Sequence, residues 1–167
     1  MDSQIGVAVL KLAKVLQSRG LTITTAESCT GGLIAKSLTD LSGSSSWFRQ
    51  AWITYSNEAK GQMLGVSEAL LEQHGAVSAA VVEAMAKGAK SRSGASIAVA
   101  VSGIAGPGGA TPGKPVGTVW IAWASATGVT SQKYLFTGDR QSVRAQATLA
   151  AVLESVKLGD SVPEAVL

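Results

Sequence analysis

Residues 95–102, Ala-Ser-Ile-Ala-Val-Ala-Val-Ser, are apolar almost without a break. A strand with one wet face alternates apolar and polar side chains, whereas a strand covered on both faces carries a continuous apolar run. This segment therefore reads as a strand buried on both sides, which requires helices in two layers around one sheet.

Helical and strand periodicities alternate outward from it. Ile5, Val9, Leu12, Ala13 and Leu16 recur at helical spacing and Gly20 supplies a left-handed stop, so residues 3–19 form an amphipathic helix. Residues 21–26 read as a strand, 31–41 as a helix ended by a flexible Ser42–Ser46 link, and 47–55 (WFRQAWITY) as a strand. Helices follow at 57–64, 67–73 and 78–92. Beyond the glycine-rich residues 103–117, strands at 118–125 and 129–137 share a short turn at Thr127-Gly128 and pair antiparallel. A last helix spans 140–158, and the tail from Gly159 is expected to fray. The expected fold is a single α/β domain over residues 1–167, a three-layer α/β/α sandwich with a mixed, mostly parallel sheet.

Composition narrows the function. The chain has 167 residues, 46% of them hydrophobic, enough for one domain with a real core. The net charge of +3 is scattered with no basic run, which fits a small anionic ligand better than nucleic acid. The N-terminus has no basic lead-in and no apolar run approaches membrane-spanning length, so a cytoplasmic protein without a membrane partner is expected. A single cysteine, Cys29, and a single histidine, His74, give neither an internal disulfide nor a Cys/His metal cluster.

Gly108 and Gly113-Lys114 imitate a phosphate-binding loop. Such a loop needs a hydroxyl after the lysine and a helix after the second glycine, whereas Pro115 and a strand-like Val-Gly-Thr-Val-Trp follow here. With six glycines and three prolines in residues 103–117, this is instead an irregular loop of a length that usually serves a site. Ser102, at the end of the buried strand, presents its hydroxyl beside it.

Further stretches carry chemistry. In Thr25–Gly32 (TAESCTGG) a strand gives way to a helix, and Gly31 and Gly32 leave bare N–H groups that can approach an anion; the alternative is an ordinary N-cap by Ser28 or Thr30. Cys29 is a nucleophile candidate at a helix start, but no base is visible for it, and a small buried thiol is the simpler reading. Lys60 falls in the first turn of a helix capped by Ser56 or Asn57, where the macrodipole disfavours its charge. A neutral lysine there can act as general base to a serine; the alternative is a solvated lysine that tolerates a small penalty. Asp139 can cap the last helix, with Arg140 and Arg144 on one face as a phosphate grip or as a solvated basic face.

Taken together, TAESCTGG, GSSSWF, TYSNEAKGQMLGV, HGAVS, SGIAGPGGATPGKPVGTVW and GDRQSVR resemble, in order and spacing, the CinA C-terminal domain family over roughly residues 20–150. Its enzymatic members are nicotinamide mononucleotide deamidases (PncC). The resemblance implies hydrolysis of nicotinamide mononucleotide to nicotinate mononucleotide and ammonia in pyridine nucleotide recycling, with no metal or cofactor and a homodimer favoured. It makes Ser45 of the GSS block the nucleophile, Lys60 its base and Tyr55 their neighbour, with Ser28, Ser102, Gly103 and Arg140 matching other site positions. Ser28 and Cys29 remain alternative nucleophiles. The phosphate falls to Arg140, Arg144 or the Gly31-Gly32 turn, and Trp47 or Trp52 can stack on the pyridinium unless they belong to the core. Where many relatives have Thr-Gly, this chain has Ser102-Gly103, which keeps the hydroxyl. Larger relatives carry an N-terminal molybdopterin-binding-like domain; this chain shows none and is expected to perform the deamidation alone. A catalytically silent nucleotide-binding module of the same fold is the competing expectation.

Overall fold

The computed structural model describes residues 2–164. The chain runs α1 (Asp2–Arg19), β1 (Ile23–Glu27), α2 (Leu33–Thr39), a 3₁₀ turn (Ser44–Ser46), β2 (Phe48–Ile53), α3 (Asn57–Leu64), α4 (Glu68–His74), α5 (Ala79–Ser93), β3 (Ile97–Gly103), β4 (Thr118–Ser125), β5 (Gly128–Leu135) and α6 (Arg140–Ser161). The strands form one five-stranded sheet in the order β2-β1-β3-β4-β5. β1 is parallel to β2 and β3, and β4 is antiparallel to β3 and β5, so β4 alone is reversed. This is the expected mixed sandwich.

The apolar run at residues 95–102 lies at the centre of the sheet, and its side chains sort by size. Ile97, Val99 and Val101 of β3, with Val119, Ile121 and Trp123 of β4, face α1, α2 and α6. Ala98, Ala100, Ala122 and Ala124 face the other way, where Val81, Val82, Met85, Ala86 and Ala89 of α5 pack on them. Burying each large aliphatic chain contributes about 1.5–3 kcal/mol. On the crowded α5 face Gly88 has no alternative, because a Cβ there would lie 2.0 Å from the Leu64 carbonyl oxygen of α3. Trp47 is fully buried and Trp52 packs on the α5-side core, so neither is a free stacking platform.

Ser56, Ser67, Ser78 and Asp139 cap α3, α4, α5 and α6 by accepting a backbone N–H. The C-terminus departs from expectation. α6 does not fray at Gly159 but continues to Ser161. The Arg19 guanidinium donates to the Gly159 carbonyl, Gly159 packs against Val15, and Val162 is buried. Among the described residues no helix is long and apolar enough to cross a membrane.

The connections create the site. From β1 the chain passes through α2, on the α1/α6 face, to β2 on one side; from β2 it passes through α3–α5, on the opposite face, to β3 on the other side. Two crossovers that diverge on either side of β1 leave a crevice at the carboxyl ends of β1 and β3, the usual ligand position in an open α/β sheet.

Candidate active site

Ser28 is the first residue beyond β1. Its N–H donates to the Val101 carbonyl of β3 at 3.0 Å, and its own carbonyl accepts the Gly31 N–H at 3.0 Å, which closes a tight turn. Gly31 and Gly32 take left-handed backbone angles, φ 57° and 99°. The N-cap of α2 is Gly32, without a side-chain bond, so neither Ser28 nor Thr30 plays the capping part the sequence suggested. Glu27 does so from the strand: its Oε1 accepts the Ile34 N–H and its Oε2 the Ala35 N–H, each at 2.9 Å, and Oε1 also accepts the Thr30 hydroxyl at 2.7 Å.

Lys60 crosses to meet that turn. Its first-turn position in α3 buries the side chain to 1% exposure, and Nζ lies 3.1 Å from Ser28 Oγ, 3.0 Å from the Thr54 carbonyl and 3.4 Å from the Tyr55 carbonyl. Among the described residues none of the salt bridges includes Lys60. Burial without a carboxylate lowers its pKa from the ordinary 10.5. A lysine that loses one proton here still donates to two carbonyls, and its lone pair then faces the Ser28 hydroxyl. That is the geometry of a serine with its base.

A cavity of about 200 Å³ opens on this pair, lined also by Tyr55, Asn57, Ala76, Val77, Ser102, Gly103, Ala105 and Arg140. Arg140 lines it with no carboxylate beside it, so the cavity suits an anion even when Lys60 is neutral. Arg140 donates to the Gly106 carbonyl at 3.0 Å and to the Tyr55 hydroxyl at 3.1 Å, joining the glycine-rich loop to the end of β2. Cys29 also lines the cavity, but burial pushes its thiol up to about 12, so it is no ready nucleophile. His74 is exposed at the end of α4, and Lys114 donates to its carbonyl rather than to a phosphate site.

The expected residues thus divide. Ser28, Tyr55, Lys60, Ser102, Gly103 and Arg140 come together. Ser45 does not: it sits exposed in the 3₁₀ turn before β2, whereas Lys60 reaches the carbonyl just after β2. The intervening strand of six residues, at about 3.3 Å each, parts them by roughly 20 Å. Gly31 and Gly32 do not line the cavity, and the N–H groups nearby are paired within the protein, that of Gly31 with the Ser28 carbonyl and those of Ile34 and Ala35 with Glu27. Arg144 turns its guanidinium to the Cys29 and Thr30 carbonyls, at 3.1 and 3.0 Å, so it does not share the cavity with Arg140. The sequence reading passed over Glu27, and over Ala76-Val77 of the HGAVS block. The signal for Glu27 was a lone acid ending the otherwise uncharged β1 strand just before a glycine turn.

Comparison with known proteins gives the family. The profile of the CinA C-terminal domain matches residues 7–157. The chain belongs to the CinA C-terminal domain family. Within it, the chain is 53% identical over 152 residues to the nicotinamide-nucleotide amidohydrolase PncC of Escherichia coli K12, covering 90% of this chain and 92% of that protein. It is 56% identical over 144 residues to a CinA-like protein of Akkermansia muciniphila, covering 84% of this chain but 35% of that longer protein. The crystal structure of a CinA superfamily protein from Klebsiella pneumoniae superposes with a TM-score of 0.91 at 38% identity, covering 95% of this chain and 99% of that one.

Proposed function

We infer that this CinA-domain protein is a nicotinamide-nucleotide amidohydrolase, which converts nicotinamide mononucleotide and water to nicotinate mononucleotide and ammonia in NAD recycling. The close likeness to PncC proteins supports the reaction. The observation that carries the mechanism is the 3.1 Å approach of the buried Lys60 Nζ to Ser28 Oγ.

In this mechanism Ser28, not Ser45, is the nucleophile. Neutral Lys60 takes the Ser28 proton as Oγ bonds to the carboxamide carbon, and the carbonyl π electrons move to oxygen. The Ser102 hydroxyl at the cavity wall donates to that oxyanion. Collapse of the tetrahedral species breaks the C–N bond, and the Lys60 ammonium returns its proton to the departing nitrogen, which leaves as ammonia. A water, deprotonated in turn by Lys60, then attacks the acyl ester on Ser28; the C–O bond breaks, Lys60 returns the proton to Ser28 Oγ, and nicotinate mononucleotide leaves. The small cavity takes the carboxamide end of the pyridine ring, and Arg140 faces the phosphorylated end.

The proposal places the enzyme in the cytoplasm, with the pyridine nucleotides it recycles, as a single domain that self-associates into a dimer. Light scattering of the purified protein reads the last point. The deciding experiment is ammonia release from nicotinamide mononucleotide by wild type, Ser28→Ala, Lys60→Met and Ser45→Ala. Loss in the first two variants with Ser45→Ala at full rate is expected. Full activity in Ser28→Ala would remove the mechanism.

A further inference from the structure

The Ser28 turn is held from two sides by side chains that do not line the cavity. Below it, Glu27 is wholly buried and gathers the Thr30 hydroxyl and the N–H groups of Ile34 and Ala35 in the first turn of α2. Above it, Arg144 reaches from α6 and forks onto the Cys29 and Thr30 carbonyls through Nε and Nη2. Thr30 is the residue both grip, by its hydroxyl on one side and its carbonyl on the other. Gly31 permits the arrangement, since a Cβ there would lie 3.1 Å from Arg144 Nη2. Among the described residues Arg144 makes no salt bridge, so backbone carbonyls are its partners.

We propose that Glu27 and Arg144 are positioning residues that clamp Thr30 from opposite sides and thereby hold the Ser28 hydroxyl on Lys60. The inference rests on the Ser28–Lys60 reading above. Ser28 lies between Glu27 and the clamped Cys29–Thr30 carbonyls, so a loosened turn shifts its Oγ relative to an amine that the Thr54 and Tyr55 carbonyls hold in place. A displacement near 1 Å costs about 100-fold in rate. Because Arg144 touches no part of the cavity, the loss falls on kcat and spares KM, whereas a phosphate grip would raise KM.

The test measures kcat and KM for ammonia release from nicotinamide mononucleotide, with melting temperature and circular dichroism as folding controls, in Arg144→Lys, Arg144→Gln, Thr30→Val, Thr30→Ser and Ser28→Ala. Lysine keeps the charge of Arg144 but not the planar fork. Both Arg144 variants are expected to lose roughly 10- to 100-fold in kcat with KM within about twofold. Thr30→Val should lose less, and Thr30→Ser, which restores the hydroxyl, should recover most of it. The rate at which a sulfonyl fluoride labels Ser28, located by mass spectrometry, should fall in step with kcat. If the Arg144 variants do not fold, the Thr30→Val and Thr30→Ser pair decides. Folded variants with wild-type kcat, or with KM raised and kcat intact, overturn the clamp while an inactive Ser28→Ala leaves the nucleophile standing. An active Ser28→Ala overturns both.

Discussion

Two turns of this molecule each put a serine within three residues of a glycine at one end of a strand, and they have opposite fates. Ser28 follows β1 at the carboxyl end of the sheet, where β3 lies on one side and α3 closes over it. Ser45 precedes β2 at the other end, in a 3₁₀ turn whose N-cap glycine has open space around it. Their local sequences, Glu-Ser-Cys and Ser-Ser-Ser, give little reason to prefer the first. What separates them is a lysine brought in from another element. A hydroxyl becomes a nucleophile through a neighbour able to take its proton, and that neighbour is 32 residues away in the chain.

Exchange of the two serines for alanine tests that contrast most severely. Ser28→Ala should lose at least about 1,000-fold in kcat/KM, as removal of a catalytic nucleophile does, and Ser45→Ala should stay within about twofold. The reverse pattern in the ammonia assay would return the nucleophile to the 3₁₀ turn.

Removing the base comes next in size. Lys60→Met should lower kcat by about 100- to 10,000-fold, the usual contribution of a positioned proton acceptor. In wild type the acid side of the pH–rate profile should report protonation of Lys60, with a midpoint below the ordinary 10.5. Stability carries the same sign. Between the lowered folded value and 10.5 the unfolded chain binds a proton that the folded chain has released, so stability rises with pH across that window. The melting temperature of wild type relative to Lys60→Met should therefore climb as pH rises, and a constant gap would mean that the buried amine carries no penalty.

A smaller effect is expected at Gly31, where alanine would meet a positive φ and the Arg144 guanidinium. A cost of about 1–2 kcal/mol follows from the backbone alone, and thermal or urea unfolding measures it. At Gly43, also left-handed but with no neighbour within 4 Å of a Cβ, the backbone strain is the whole of the cost. A larger loss at position 31 than at 43 sharpens the difference between the turns; equal losses would blunt it.

The least change belongs to Cys29. Its thiol, pushed up to about 12 by burial, should resist iodoacetamide in the folded protein at neutral pH. Cys29→Ala should keep ammonia release within about threefold, and rapid alkylation at neutral pH would revive the thiol as a rival to Ser28.

Much of this protein was legible in its residue order. Periodicity along the chain is set by local geometry, 3.6 for helices and 2 for strands, so the apolar run of β3, the helix boundaries near Ser56 and Asp139 and the β4–β5 hairpin followed from neighbours in sequence. First-turn placement alone already marked Lys60 as an amine under pressure to lose its proton. Residue types could not say which hydroxyl it would meet. Arg140 and Arg144 share a helix turn, yet one borders the cavity and the other is fastened to two carbonyls; Glu27, to which residue order assigned no part, is buried beneath four groups that donate to it. Those outcomes depend on contacts between residues far apart in the chain, created only when the crossovers on opposite faces of the sheet bring β1, β3, α3 and α6 to one edge.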